Sequence, residues 1–275
     1  MMEHLTTSLF LSAFAVCVQA QNVANYQPDA NGDGCIGSSD MLSLLSLYGS
    51  GDCPPFECGD PLEYQGYEYA TVQIGEQCWF AENLKAANYA SGAPILTDLE
   101  GSDWTSATEG TTAVFGDDSA ECNNNSSIGD PCNEDWSLEN YGRLYNWYAV
   151  VDDRGLCPTG WHVPSASEWQ ALLESFPSDE DPSIALKEIE AWNYDPGITN
   201  STGFSAVPAG VRCSGSYSNN GFQAWFWSSD EFPTYPSTAF YFIIQGSIGS
   251  ANVCDEEQPN CLNKHCGTSI RCLQD

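Results

Sequence analysis

The chain has little positive charge. Its 275 residues hold 7 Lys plus Arg against 38 Asp plus Glu, a formal net charge of −31. Without a basic patch it has nothing to neutralise phosphates or anionic headgroups, so nucleic acid and anionic membrane are excluded as partners. Scarce cations also mean few salt bridges, which leaves most carboxylates to be solvated or bound to metal ions. After the first twenty residues no stretch approaches the roughly 18 consecutive apolar residues of a membrane span. No internal repeat of fixed period occurs. Histidine is nearly missing too. Beyond the N-terminal segment there are His162 and His265 alone, neither beside a serine or cysteine nucleophile motif. What the chain does have is aromatic side chains, 12% of residues, ample for a packed core rather than a disordered acidic chain.

The first segment reads as an export signal. Residues 9–16 form an apolar run too short to span a bilayer, and Val18-Gln19-Ala20 supplies the small residues a signal peptidase needs. Residues 1–20 are therefore expected to be a signal peptide and the mature chain to begin at Gln21, secreted or at the cell surface. Lipidation at Cys17 is the competing reading, and the bulky Val16 before it speaks against it. Of thirteen cysteines, twelve remain once Cys17 leaves with the signal. An even count in an exported chain reads as a disulfide framework. Cys35 with Cys53 would staple an N-terminal module, and Cys122 with Cys132 would close a polar loop. Cys58 and Cys78 are further candidates, and the partners of Cys213, Cys254, Cys261 and Cys266 stay open. Zinc at cysteines 254, 261, 266 and 272 with His265 is the alternative, but these spacings lack CxxC knuckles.

A short module at residues 25–53 leads through a hinge, Cys53-Pro54-Pro55-Phe56-Glu57-Cys58, to residues 58–275, a comfortable length for a single α+β domain. The clearest helix signal is Ser165 with Glu168 three residues on, a capping box preceded by Pro164. Trp169, Leu172, Leu173 and Phe176 then share one face. Helices are also expected over residues 141–150 and 183–192. Strands are expected at 67–74, 113–115, 204–207, 225–228, 239–244 and 269–273, short runs rich in aromatic and β-branched residues between Gly, Asn, Ser and Pro turns.

Residues 29–40 fit a calcium loop. Asp29, Asn31 and Asp33 occupy positions 1, 3 and 5, where alternate side chains converge on the ion. Gly34 takes the sharp turn at position 6, Cys35 offers its carbonyl at position 7, and Asp40 closes the loop at position 12. The expected cofactor is therefore Ca2+. Met41, Leu44, Leu45 and Tyr48 make one helix face after it. The loop and its helix resemble one half of a dockerin module, in which Asp also ends the loop. Dockerins carry two such segments and cohesin recognition uses the pair. The single segment here points to a calcium-stabilised spacer or adhesion module.

Six ordered phrases mark the larger domain. They are Gln77-Cys78-Trp79-Phe80-Ala81-Glu82-Asn83-Leu84, Tyr141-Gly142-Arg143-Leu144-Tyr145-Asn146-Trp147-Tyr148-Ala149-Val150 and Gly155-Leu156-Cys157-Pro158-Thr159-Gly160-Trp161-His162-Val163-Pro164. Later come Gly203-Phe204-Ser205-Ala206-Val207-Pro208-Ala209-Gly210, Phe226-Trp227-Ser228-Ser229 and Ser269-Ile270-Arg271-Cys272. Together they resemble the Fibrobacter succinogenes major paralogous domain family over nearly all of residues 58–275. The resemblance implies a C-type-lectin-like fold, related to that of formylglycine-generating enzymes, with the small calcium-loop-helix module in front. It also implies a Cys157–Cys272 bond tying a helical region to the last strand.

A fold is not a function. Gln258-Pro259-Asn260 resembles the sugar-contacting tripeptides of C-type lectins, so Gln258 and Asn260 are candidate ligands. No Trp-Asn-Asp partner follows, and a Pro turn between Cys254 and Cys261 is the plainer reading. Trp225 and Tyr235 could stack on sugar rings, whereas Trp227 and His162 are read as structural. The function expected is a secreted, non-catalytic binding or adhesion protein with an extracellular glycan or surface protein as partner. An enzyme or accessory protein of polysaccharide degradation is the alternative, and a structural surface protein the second alternative.

Overall fold

The computed structural model describes residues 56–117, 122, 125–193, 197–246, 251–254 and 261–275. The chain divides into two compact units, Met1–Phe56 and Glu57–Asp275, and every described residue except Phe56 belongs to the second. The expected signal segment, the expected calcium ligands Asp29, Asn31, Asp33, Cys35 and Asp40, and Cys53 lie outside the described residues. So do Gln258 and Asn260.

The second unit begins with two hairpins, β1 (Leu62–Tyr64) with β2 (Tyr67–Tyr69) and β3 (Thr71–Ile74) with β4 (Gln77–Phe80). Then come α1 (Gly101–Ser106), β5 (Thr112–Val114), α2 (Glu134–Tyr141), β6 (Arg143–Asn146), α3 (Trp147–Val150), β7 (Trp161–His162), α4 (Ala166–Glu174) and α5 (Pro182–Ala185). Strands complete the chain: β8 (Val211–Cys213), β9 (Ser216–Ser218), β10 (Gln223–Glu231), β11 (Thr238–Gln245), β12 (Ala251–Val253), β13 (Leu262–Asn263), β14 (Gly267–Thr268) and β15 (Leu273–Gln274). The domain is mixed α/β, mostly sheet with few helices.

The end of the chain stitches the sheets together. β14 lies between β6 and β8 in the sheet β5-β6-β14-β8-β9, and β15 lies between β4 and β7 in the sheet β3-β4-β15-β7. Between these two strands Ser269 bridges to Phe226 of β10, so residues 269–272 pass from one sheet to another through the interior. Ile270, Arg271 and Cys272 are each at most 1% exposed.

The core is aromatic. Ser165 caps α4 by accepting from Glu168 N at 3.2 Å, and Glu168 Oε2 accepts from Ser165 N at 2.7 Å. That reciprocal capping starts the helix and turns Trp169 and Leu172 inward. Trp169 stacks on Phe242 with ring centroids 4.6 Å apart and lies 4.7 Å from Trp79. Trp79, Trp104, Trp169 and Trp227 are wholly buried.

Five expected elements differ. Residues 67–74 divide at Ala70 into β2 and β3, which belong to different sheets, and of residues 269–273 only Leu273 lies in a strand, β15, while Ser269 makes a lone bridge to Phe226. Residues 141–150 are not one helix. Gly142 sits at φ +71°, where a Cβ would stand 3.0 Å from both Asn83 Cβ and Leu84 O, so α2 stops there. The next four residues pair as β6 with β5 and β14, and Asn146 caps the single turn of α3 by accepting from Ala149 N at 3.1 Å. Sheet pairing has overridden a helical apolar period. Of residues 183–192 only the start is helical, within α5, capped by Asp181 Oδ1 accepting from Ser183 N at 2.9 Å. Residues 204–207 form no strand; Ala206 makes a lone bridge to Lys187.

Five disulfides join the described residues: Cys58–Cys78, Cys122–Cys132, Cys157–Cys272, Cys213–Cys266 and Cys254–Cys261. The Cys157–Cys272 bond, spanning 115 residues, is the one the family resemblance implied. The zinc alternative falls, since cysteines 254, 261, 266 and 272 are all bridged.

Candidate functional site

Arg271 organises the site. Its side chain is 1% exposed, and a guanidinium in that position must have its donors satisfied. Nε donates to Asn83 Oδ1 at 2.8 Å, Nη1 to Phe80 O at 2.9 Å and Phe204 O at 2.5 Å, and Nη2 to Ser205 O at 2.9 Å. Four of the five N–H groups are thus committed, three of them to main-chain carbonyls. The ring of Phe204 lies 4.5 Å from the guanidinium carbon and that of Phe226 at 5.7 Å. Among the described residues no carboxylate forms an ion pair with it. Burial pushes its pKa down to about 9, and the fields of Glu82 and Glu188 work in the opposite direction. It is a buried cation held by dipoles.

Arg271 reaches one wall of a cleft of about 340 Å³, where it meets Glu82, Asn83, Lys85, Glu188 and Ser205. Alanine and glycine at 70, 81, 142 and 203 keep the walls thin. Of the three carboxylates in the cleft, Glu82 and Glu188 are each anchored through one oxygen. Glu82 Oε2 accepts from Ala70 N at 2.8 Å, and Glu188 Oε2 accepts from Asn200 Nδ2 at 3.0 Å. Asn200 also clasps Ser205: its Nδ2 donates to Ser205 Oγ at 2.8 Å and its Oδ1 accepts from Ser205 N at 3.1 Å. The clasp holds Ser205 at φ +54°, a left-handed conformation that costs a non-glycine residue roughly 1–3 kcal/mol. That strain turns the Ser205 carbonyl toward Arg271. At the rim Lys85 Nζ lies 4.0 Å from Glu139 Oε1 and 5.6 Å from the Tyr67 ring centroid.

The arrangement supplies hydrogen bonds of both senses in a small, mixed-charge space. Ser205 Oγ donates to Gly203 O at 3.3 Å, and no histidine lines the cleft. His162 is engaged elsewhere, with Nδ1 2.7 Å from Asp275 Oδ1 and Nε2 3.0 Å from Glu168 Oε1. Burial raises the Glu168 carboxyl, but its bonds from Ser165 and the neighbouring His162 outweigh that and leave it below the usual range.

The sequence-derived candidates do not converge here. Trp225 is half-buried on β10, with Nε1 donating to Gln223 Oε1 at 3.1 Å. Tyr235 is 48% exposed at the opposite end of the β10–β11 hairpin, stacked on Phe232. Trp227 is core, as read, and Tyr217 is buried with its hydroxyl donating to Asp117. Sequence reasoning missed Arg271, Glu82 and Glu188 as site residues. The first two stand inside family phrases, which was the available signal; Glu188 carried none.

No curated protein and no solved structure matches the chain. The family model described as the Fibrobacter succinogenes major domain matches residues 72–274, a span that takes in β3 through β15 and nearly every cleft residue. The chain belongs to the Fibrobacter succinogenes major domain family.

Proposed function

We propose that the protein is an exported, non-catalytic binding protein that holds a neutral saccharide unit, on a glycan or a glycosylated surface protein, in the Arg271 cleft. The domain carrying the cleft is read as C-type-lectin-like. The N-terminal module is read as a spacer ordered by Ca2+ through Asp29, Asn31, Asp33, the Cys35 carbonyl and Asp40. The observation that carries the binding reading is the mix of groups in the cleft: carboxylate acceptors at Glu82, Glu139 and Glu188, and cationic donors at Lys85 and at the one N–H of Arg271 left uncommitted. Adjacent sugar hydroxyls donate to carboxylates and accept from a guanidinium at once. An anionic ligand would meet three glutamates, and a cationic one would meet Lys85 and Arg271. A glycan array with and without EDTA tests this. Neutral glycans should be retained without turnover and held more weakly by a Glu82→Gln/Glu188→Gln double variant. Equal retention by that variant would overturn the reading.

The same two glutamates favour one second reading, an enzyme of polysaccharide degradation, because glycoside hydrolysis uses a carboxylate pair flanking the bond. Release of reducing ends that disappears in both single Glu→Gln variants would establish it in place of simple binding.

A further inference from the structure

One face of the β10–β11–β12 sheet is committed to the core, with Ala224, Phe226, Phe242 and Ile244 all at most 1% exposed. The other face is not closed along its whole length. Register places Gln223 opposite Gln245, and Trp225 opposite Ile243, which in turn stands opposite Asn252. Directly opposed residues share a face, so these side chains form one patch. Tyr241 extends it, its ring centroid 4.8 Å from that of Trp225. Gln223, Trp225, Tyr241 and Gln245 are half-buried, Asn252 is exposed, and Ile243 is buried among them.

The chemistry of this patch is out of keeping with the chain. A solvated sheet face in a protein with 38 Asp and Glu would ordinarily carry carboxylates. Here every open position is an aromatic or a carboxamide. Aromatic faces, with their negative quadrupole, suit the C–H face of a sugar ring. Carboxamides donate and accept together, as sugar hydroxyls require. The Trp225–Gln223 bond at 3.1 Å fixes the stacking ring in advance, which lowers the ordering cost of binding.

We infer that this patch is a second ligand site, a stacking platform for a neutral polysaccharide chain, with Trp225 and Tyr241 as the stacking surface and Gln245 and Asn252 as hydroxyl partners. It rests on the reading of the protein as a saccharide binder but not on the Arg271 cleft. A polyanionic glycan finds no cation on the patch and a net charge of −31 around it. Three strands at roughly 4.8 Å spacing make the patch about 10 Å across, room for a short run of sugar rings.

Affinity electrophoresis of the full chain through gels containing hydroxyethyl cellulose, laminarin or polygalacturonate tests the platform. Wild type should be retarded in a neutral gel and not in polygalacturonate. Trp225→Ala should weaken that binding about tenfold, the effect of removing one aromatic anchor. Trp225→Phe should retain most of it, and Asn252→Ala, at an exposed position, should weaken it without touching the fold. Asp179→Asn, at an exposed position outside both the cleft and the patch, should leave it unchanged. No retardation in either neutral gel, or folded Trp225→Ala and Asn252→Ala proteins that migrate as wild type, overturns the platform. Retardation lost in Glu188→Gln but kept in Trp225→Ala assigns the binding to the cleft and removes the platform.

Discussion

Replacing Asn83 by alanine tests whether the buried cation is held as described. Asn83 is 3% exposed and its amide is used from both ends. Oδ1 accepts from Arg271 Nε at 2.8 Å, while Nδ2 donates to Tyr141 O at 2.8 Å and Ser269 Oγ at 3.1 Å. Losing a bond to a charged group costs about 1.5–3 kcal/mol and a neutral bond about 1 kcal/mol. The three together come to roughly 3–5 kcal/mol, and water entering from the cleft, which Asn83 lines, sets the value toward the lower end. At about 3 kcal/mol the melting temperature of a domain this size falls by roughly 6–12 °C. Asn83→Asp separates the contributions. It keeps the acceptor for Arg271, gives the guanidinium a counter-charge and loses the two neutral donor bonds, so its loss should be about half as large. Guanidinium unfolding followed by tryptophan fluorescence, with disulfides intact, gives both numbers. An Asn83→Ala loss under about 1 kcal/mol, or an Asp variant as damaged as the Ala variant, refutes the picture of a dipole-held cation.

Three further outcomes are expected. Glu168→Ala removes the α4 capping box and should cost about 1 kcal/mol at neutral pH. Because the folded carboxyl lies below its reference value of 4.5, that stabilisation is fully present above pH 4.5 and fades as pH falls, so wild-type and variant melting curves should converge in acid. Removing Cys157–Cys272, which spans 115 residues, should cost about 4–5 kcal/mol, against about 2 kcal/mol for Cys254–Cys261, which spans 7. Comparable losses from the two double-alanine variants would count against the loop-closure account. Calcium should raise the calorimetric transition of the N-terminal module by an increment that grows with the ion's concentration, about 2.7 kcal/mol at a hundredfold excess over Kd. Asp29→Ala should abolish the increment, and a transition indifferent to both would remove the calcium assignment.

What could be read from the sequence followed the range of the interactions. The start of α4 was legible because Ser165 and Glu168 cap it locally and Trp169 and Leu172 repeat at helical spacing. β10 and β11 were legible as aromatic, β-branched runs. Residues 141–150 misled because Tyr141, Leu144, Tyr145 and Tyr148 repeat with a helical period. What breaks the helix is the packing of Gly142 against Asn83 and Leu84, nearly sixty positions earlier in the chain. Periodicity counts neighbours in sequence and is blind to that contact.

The site was harder for a chemical reason. A buried cation is usually found through its carboxylate partner, and Arg271 has none among the described residues. Its acceptors are the carbonyls of Phe80, Phe204 and Ser205 and the amide of Asn83, and carbonyls are common to every residue type. Yet those acceptors fall in two of the phrases that carry the family resemblance, and Arg271 falls in a third. Those three phrases meet around one guanidinium and must fit it together. Lys85, Glu139, Asn140 and Glu188, which also line the cleft, stand outside all six phrases. The guanidinium and its carbonyls are therefore framework, fixed by the requirements of burial; of the rim, the Lys85–Glu139 pair stands apart from them, whereas Glu188 reaches Ser205 through Asn200. On the saccharide-binding reading, selectivity for one glycan over another is expected to reside chiefly in the Lys85–Glu139 pair, where a change of side chain leaves the Arg271 framework intact.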